Sequence, residues 1–209
     1  MVLKVGTLFA ICLWVWAAPS VALAQAGKTA PPAKGSHMFV KLTTSLGDII
    51  IELDQAAAPK TTANFLQYVQ DGHYNGTIFH RVIPGFMIQG GGVDADHKER
   101  PTRPPIENEA RNGLANDRYT VAMARTPAPH SATAQFFINT KKNDFLNFTE
   151  ASTSGWGYAV FGRVVKGREV VDAIEKTPTT SKGAYSQDLP VTPVVIEKAE
   201  VLADYKPEP

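Results

Sequence analysis

Two stretches with alternating apolar and polar positions begin the body of the chain, at residues 39–44 and 48–53. In the second stretch, one side carries Ile49, Ile51 and Leu53 and the other carries Asp48, Ile50 and Glu52. This period of two predicts strands with one buried face and one wetter face. The three residues between the stretches include a glycine and indicate a hairpin turn.

A helical pattern follows over residues 58–71, where apolar and small side chains recur three and four positions apart. The side chains predicted to share its buried face are those of Thr62, Phe65, Leu66 and Val69. Pro59 near the start and Gly72 just past the end favour initiation and termination of a helix at these points. A second, shorter helix is predicted over residues 169–174.

The rest of the body consists of short apolar runs without a regular alternation of strands and helices. The runs predicted to form strands are residues 77–83, 86–89, 120–124, 135–140, 158–165 and 194–202. A parallel doubly wound sheet is disfavoured, because it needs a helix between successive strands. Many short strands with two helices favour a mainly β fold, an antiparallel barrel whose closure removes exposed strand edges.

Three connections, at residues 93–118, 125–133 and 147–157, are longer than the usual loop. Loops of that length in a compact domain are typically functional, so we expect them to contribute to a site. The glycines at 90–92 lack the Lys-Ser/Thr pair that completes a phosphate-binding loop. We predict a flexible exit from the preceding strand at these glycines instead.

The first 24 residues have the pattern of a secretory signal peptide. Lys4 precedes an apolar run over residues 5–18, and the small residues Ala22 and Ala24 favour cleavage after Ala24. The alternative is an uncleaved anchor, because the uncharged stretch that ends at Ala24 is just long enough to span a bilayer. The proline that interrupts this stretch favours cleavage.

Composition divides the remainder of the chain into three parts. Residues 25–37 are small and polar and include proline, and are predicted to form a flexible linker. The folded domain is predicted to span residues 38–203. Residues 204–209 are predicted to form a flexible, unpacked tail.

Charge and cysteine content change when the predicted signal peptide is removed. The 209-residue chain has a net charge of +1, and Lys4 and its single cysteine, Cys12, both lie in that peptide. The mature chain is then neutral and has no thiol, which suits an oxidising compartment. Neutrality argues against a nucleic-acid binder, which needs an excess or stripe of basic residues.

The candidate chemistry is concentrated in three short segments. Residues 78–92 read IFHRVIPGFMIQGGG, residues 134–139 read AQFFIN, and residues 158–162 read YAVFG. In these motifs the sequence resembles the cyclophilin-type peptidyl-prolyl isomerases, and the resemblance extends from about Phe39 to Leu202. With the signal peptide, it is most similar to the periplasmic members of that family in Gram-negative bacteria. The resemblance implies a closed eight-stranded antiparallel barrel capped by two helices.

The resemblance also implies an enzyme that accelerates rotation about X-Pro peptide bonds without a cofactor. The barrier to this rotation is about 18–20 kcal/mol and comes from amide resonance. In the twisted transition state the prolyl nitrogen regains a lone pair, so a donor aimed at that nitrogen stabilises the transition state selectively. The family's catalytic arginine falls at Arg81, whose guanidinium is a permanently charged donor.

The same resemblance implies a substrate groove beside Arg81. The positions of the family's apolar proline pocket are Phe86, Met87, Phe137 and Leu146. Gln89 and Gln135 are expected to hydrogen-bond the substrate backbone, and Ala124 is expected to border the groove. His80 is expected in the site with its ring at the rim, where no proton transfer is required of it.

Three positions depart from the usual pattern of the family. Phe145 stands where many eukaryotic members carry tryptophan, so the indole N–H that hydrogen-bonds ciclosporin is missing and weak inhibition is expected. Arg125 replaces the usual asparagine and Tyr158 the usual histidine of the site. We expect these residues to alter the rim and the peptide preference and to leave the action of Arg81 intact.

Other classes of site fit the sequence less well. The mature chain has no cysteine nucleophile and no G-x-S-x-G motif, and its histidines lack metal-ligand spacing. The alternative that stays open is non-enzymatic: a proline-peptide binding module or holdase chaperone that uses the same groove. A pure binder has no use for a donor that acts only on the twisted amide, so Arg81 separates the two functions.

The expected partners are proline-containing segments of unfolded or partly folded exported proteins in the periplasm. Slow X-Pro isomerisation limits the folding of such segments, and a reaction without a cofactor suits a compartment without a supply of ATP. We expect no binding to nucleic acid and no stable association with the membrane after signal cleavage. The chain is predicted to act as a monomer.

Overall fold

The structure, a computed structural model, describes residues 38–182 and 185–206, so the predicted signal peptide and linker lie outside the described residues. Its strands are β1 Met38–Thr44, β2 Gly47–Leu53, β3 Thr77–Ile83, β4 Met87–Asp94, β5 Thr120–Met123, β6 Phe136–Asn139, β7 Val160–Lys166, β8 Thr179–Lys182, β9 Tyr185–Pro190 and β10 Val195–Leu202. Its α-helices are α1 Pro59–Gln70 and α2 Arg168–Glu175, and short 3-10 turns form at Ala110–Asn112 and Asp144–Leu146.

Eight of the described strands close into a barrel in the order β1-β10-β3-β4-β6-β5-β7-β2, with β2 pairing back to β1. Neighbouring strands are antiparallel throughout this barrel. The predicted fold, a closed eight-stranded antiparallel barrel with two helices, is confirmed. Closure pairs both edges of each barrel strand, so edge-to-edge aggregation along these strands is prevented.

The interior of the barrel is filled by the side chains that the alternating pattern predicts. On β1 and β2 the inward side chains are Val40, Leu42, Ile49 and Ile51, all fully buried. Helix α1 contributes Phe65, whose ring lies 5.5 Å from that of Phe136 on β6 and 5.1 Å from that of Phe161 on β7. The predicted apolar face of α1 is therefore packed against the barrel core.

One of the long loops fixes the start of α1. The residue before this helix, Ala58, supplies no side-chain cap. The carboxylate of Glu109 accepts hydrogen bonds from the backbone N–H of Lys60 at 3.1 Å and of Thr61 at 2.8 Å, and from the Thr61 hydroxyl at 2.7 Å. A carboxylate at this end satisfies N–H groups that have no partner within the helix and complements the helix dipole.

Strands β8 and β9 form a separate two-stranded hairpin that the sequence pattern did not predict. Strand β9 lies against β3, outside the barrel interior. Leu189 attaches it: this side chain is 2% exposed and packs with Ile78 of β3 and Val93 of β4. Because the sequence of the hairpin is mostly polar, it has no periodic pattern that marks it as strand.

The described part of the predicted tail makes a contact. The ring of Tyr205 lies edge-on to that of Phe39 on β1, with 5.0 Å between the ring centroids. The prediction of an unpacked tail is therefore wrong for Tyr205. Among the described residues, no helix is both long enough and apolar enough to cross a membrane.

Candidate active site

The pairing of β3 with β4 contains a bulge beside Arg81. Phe79 pairs with Gly90, and the next pair joins Arg81 to Gln89, so β3 advances two residues while β4 advances one. His80 is therefore the extra residue of a β-bulge on β3. Bulges of this kind re-aim the side chains that follow them.

The bulge decides which face of the barrel Arg81 occupies. Phe79 and Val82 both belong to the interior cluster although they are three positions apart, an odd spacing that a regular strand cannot give. Arg81, between Val82 and the bulge, points outward, and its side chain is 45% exposed. The predicted catalytic side chain thus lies on the outer surface of the barrel.

The order of the strands places a row of side chains that begins at Arg81 and crosses the barrel surface. Arg81 is paired with Gln89, Gln89 with Phe137, Phe137 with Ala122, and Ala122 with Val160. The row crosses β3, β4, β6, β5 and β7 in that order. Because opposite residues of paired strands share a face and have their Cβ atoms about 4.5–5.5 Å apart, a charged donor stands at one end of an apolar surface.

That apolar surface is a second hydrophobic cluster, distinct from the barrel interior. Its buried members are Met87, Ala122, Phe137, Leu146 and Val160, and its partly buried members are Ile83, Phe86, Leu114, Ala124 and Tyr158. All four predicted pocket positions and the predicted groove border at residue 124 are brought together here. Sequence reasoning missed Ala122 and Val160, whose membership depends on the strand register and not on local pattern.

Aromatic side chains form the rim of this cluster. Phe145, which is 74% exposed, stacks on Phe86 with 5.6 Å between the centroids and 27° between the ring planes. Tyr158 lies edge-on to Phe137 at 5.6 Å, and the Arg125 guanidinium lies 4.6 Å from the centre of the Tyr158 ring. The three residues that depart from the usual family pattern therefore all lie at this rim.

Arg125 makes its polar contacts within the chain. Its Nε donates to the carbonyl oxygen of Gly157 at 2.9 Å, and its Nη1 donates to those of Thr126 at 3.0 Å and Pro127 at 3.2 Å. The bond to Gly157 ties the loop at 125–133 to the loop at 147–157, and the other two hold Arg125 within its own loop. The structure thus presents Arg125 as a clamp between two loops, with its flat face toward Tyr158.

Two glutamine amides and His80 form a polar group beside Arg81. Gln89 Nε2 donates to Gln135 Oε1 at 2.8 Å, and Gln135 also hydrogen-bonds the His80 side chain. His80 is only 6% exposed, so the prediction that its ring lies at the rim is wrong. Burial lowers the pKa of His80 to about 4, so the imidazole is neutral near pH 7.

The motifs and the barrel agree with what comparison with known proteins finds. The family model described as cyclophilin type peptidyl-prolyl cis-trans isomerase/CLD matches residues 39–201, most of the chain. This chain belongs to the cyclophilin-type peptidyl-prolyl cis-trans isomerases.

Relatives and a solved structure support the same assignment. Peptidyl-prolyl cis-trans isomerase cyp18 of Streptomyces antibioticus is 63% identical over 163 residues, which are 78% of this chain and 98% of that protein. Peptidyl-prolyl cis-trans isomerase B of Escherichia coli is 56% identical over 163 residues, 78% and 99% of the two chains. A Cryptosporidium parvum cyclophilin type isomerase, crystallised in the presence of the dipeptide Ala-Pro, matches with a TM-score of 0.65 and 27% identity over 79% of this chain and 99% of its own.

In this cyclophilin the glycines at 90–92 lie inside β4, so the prediction of a flexible strand exit is wrong. Gly91, Gly92 and Val93 together stand opposite the single residue Ile78, which makes a second bulge. A Cβ on Gly92 would lie 2.4–2.6 Å from atoms of the Gln135 side chain. The missing side chain of Gly92 therefore provides the space in which the Gln135 amide rests.

Three buried asparagines, Asn116, Asn139 and Asn143, form hydrogen bonds that fix the backbone of residues lining the groove. Asn143 Nδ2 donates to the carbonyl oxygen of Phe86 at 2.9 Å, and Asn116 Nδ2 donates to those of Leu146 at 3.2 Å and Tyr158 at 3.3 Å. Asn139 joins the other two through bonds of 3.2 and 2.7 Å. Sequence reasoning missed this network, because buried amides carry no periodic signal.

The space above Gly92 gives a test of the position of Gln135. We expect Gly92→Ala to lower kcat/KM about threefold to tenfold, the range for one displaced hydrogen-bonding group. The midpoint of thermal unfolding should change little, because the atoms that must move belong to a flexible side chain. A coupled proline-peptide isomerisation assay and a thermal melt measure the two quantities.

The matched control is the same substitution in a Gln135→Ala background. There, Gly92→Ala should have no further effect on kcat/KM, because the displaced group is already absent. An equal loss of activity in both backgrounds would show that Gly92 acts through something other than Gln135.

Proposed function

We propose that the groove along the Arg81–Val160 row is where this isomerase binds and rotates X-Pro bonds, with Arg81 as the catalytic donor. The observation that carries the proposal is the pairing of Arg81 with Gln89 and of Gln89 with Phe137. It brings a charged donor, a polar amide and an apolar pocket to adjacent positions on one face. Those are the three groups that the rotation of a prolyl amide requires.

Arg81 acts on the nitrogen of the rotating bond. In the planar ground state that nitrogen has no lone pair to offer, and in the twisted state it accepts a hydrogen bond from the guanidinium. A hydrogen bond to a charged group contributes about 1.5–3 kcal/mol, and each 1.36 kcal/mol changes the rate tenfold. Arg81 therefore accounts for roughly one to two powers of ten, and the apolar surroundings supply the rest because the twisted amide is less polar.

The pyrrolidine ring of the substrate rests on Met87, Phe137 and Leu146, with Phe86 at its edge. Each buried methylene contributes about 0.8 kcal/mol, so a proline ring binds this surface more strongly than a residue with a shorter side chain. Burial of Met87, Phe137 and Leu146 to 8% exposure or less supports a preformed pocket. A preformed pocket avoids the cost of ordering side chains when the peptide binds.

The groups around the pocket bind the peptide backbone. Gln89 and Gln135 lie where the residues before and after the proline pass, and their amides offer both donors and acceptors. Ala122 and Ala124 are small, which lets an extended peptide lie close to the strands. Neutral, buried His80 holds Gln135 in place and takes no part in proton transfer, since the reaction moves no proton.

We further propose that the isomerase is exported and acts on X-Pro bonds of other exported proteins in the periplasm. The signal-peptide pattern of residues 1–24 and the bacterial relatives support this role. The same reasoning predicts binding to proline-containing segments of unfolded chains, whose X-Pro isomerisation takes about 10–100 s without a catalyst.

Export is tested with the full-length chain in a Gram-negative host. We expect recovery from the periplasmic fraction with Gln25 as the first residue by N-terminal sequencing, because the small residues Ala22 and Ala24 direct cleavage. Ala22→Arg should block this processing while the domain stays active. Recovery of the wild-type chain in the membrane fraction with residues 1–24 intact would instead favour the uncleaved anchor.

The role of Arg81 is tested by Arg81→Ala. We expect kcat/KM for an X-Pro peptide to fall roughly 10- to 100-fold, while the dissociation constant of the peptide changes less than about threefold, because the donor acts in the twisted state only. An isomerisation assay measures the first quantity and an NMR titration the second.

Arg103→Ala is the matched control, since Arg103 is similarly exposed and also forms a surface ion pair, with Asp71 at 2.8 Å. Its activity should equal that of the wild type. Undiminished isomerisation by Arg81→Ala would refute the mechanism and leave a binding module or holdase as the better description of the groove.

Ciclosporin sensitivity tests the exposed rim position. We expect weak inhibition of the wild type, and a roughly three- to tenfold lower inhibition constant for Phe145→Trp, because the indole N–H adds one hydrogen-bond donor. The 74% exposure of Phe145 lets the larger ring be accommodated without repacking. Leu46→Trp, at another exposed position, serves as control, and strong inhibition of the wild type would contradict the expectation.

A further inference from the structure

The side chain of Arg81 is held by a residue that lies far along the chain. Arg81 Nε donates to Asp188 Oδ2 at 3.3 Å, and the two side chains are 45% and 31% exposed. Asp188 belongs to β9, in the hairpin that lies outside the barrel. Within residues 38–182 and 185–206, Asp188 is the acidic residue that forms an ion pair with Arg81.

The hairpin presents Asp188 on a fixed backbone. The next residue, Leu189, is 2% exposed and packs against Ile78 and Val93 of the barrel wall. Ile78 lies three residues before Arg81 on the same strand. The backbone that carries Asp188 is thus attached to the strand that carries Arg81, and the ion pair joins two elements that already pack together.

Among the described residues, the partner of the Arg81 guanidinium binds it at Nε. Its five N–H groups lie in one plane, one on Nε and four on the two terminal nitrogens. Asp188 accepts from Nε, which leaves the terminal nitrogens for a substrate in the groove. An arginine side chain that is half exposed and unrestrained would sample many rotamers, most of which point the guanidinium away from the row.

We propose that Asp188 is a positioning residue for catalysis: its carboxylate holds Arg81 Nε so that the terminal nitrogens face the rotating amide. The inference rests on the proposed role of Arg81 and adds a requirement outside the barrel. It gives the β8–β9 hairpin a function, because removal of Asp188 would lower the population of the productive Arg81 rotamer. It concerns the rate of rotation rather than binding, since Asp188 acts through its contact with Arg81.

The test uses Asp188→Ala, Asp188→Asn and the control Asp71→Ala, which breaks the comparable surface pair with Arg103. We expect Asp188→Ala to lower kcat about threefold to tenfold, with KM and the midpoint of thermal unfolding unchanged, because an exposed ion pair contributes little to stability. Asp188→Asn should recover part of the loss, since its amide oxygen can still accept from Nε. Asp71→Ala should match the wild type.

The dependence of kcat on salt concentration distinguishes the positioning role of Asp188 from a purely structural role of the hairpin. Ionic strength screens an exposed pair, so added salt should bring the kcat of the wild type toward that of Asp188→Ala and leave the variant unchanged. In an Arg81→Ala background, Asp188→Ala should have no further effect.

The outcomes separate this inference from the proposed function. If Arg81→Ala retains full activity, the role of Arg81 fails and the inference fails with it. If Arg81→Ala loses activity and Asp188→Ala does not, only the positioning role is overturned. A higher kcat for Asp188→Ala would also overturn it, since the carboxylate would then hold Arg81 in an unproductive position. An equal loss of kcat in the Arg81→Ala background would overturn it too, since the carboxylate would then act on something other than Arg81.

Discussion

The constraint on which the rest of the site depends is the extra residue in β3. In a regular strand, Phe79 and Arg81 share a face, so a Phe79 that fills the barrel would carry Arg81 into the interior with it. An unpaired guanidinium there would cost several kcal/mol. The bulge at His80 keeps Phe79 and Val82 inside while it turns Arg81 outward. One inserted residue thus reconciles an apolar core with a charged group on the same strand.

The filled interior determines where a site can be. Because Phe65, Phe136 and Phe161 occupy the middle of the barrel, a peptide has access only to its outer face. The order β3-β4-β6-β5-β7 then brings together residues from distant parts of the chain. Behind them, the small Gly92 leaves space for an amide and buried asparagines fix three carbonyl groups. The groove is therefore supported from within by a hydrogen-bond network, although it lies on the surface.

The sequence predicts those features that local pattern controls. Alternation locates β1 and β2, and helical spacing locates α1 to within a residue at each end. Pairing between strands is not a local property, so the bulges at His80 and at the glycines, and the row through Ala122 and Val160, are visible only in the structure. The β8–β9 hairpin is not predicted either, because its sequence is mostly polar and lacks the alternation of a half-buried strand.

An open groove on a convex face suits a substrate that is a segment of a longer chain. A closed cavity would require a chain end, whereas a row of side chains across five strands lets the peptide continue in both directions. In the proposed function, such a groove contacts the proline ring and the backbone, which all X-Pro segments share. In the proposed mechanism, a bound peptide covers Arg81 and excludes solvent from it, which strengthens the hydrogen bonds of Arg81 when the twisted amide forms. The half exposure of Arg81 in the unbound protein is therefore compatible with catalysis, provided that its guanidinium is already oriented when the peptide arrives.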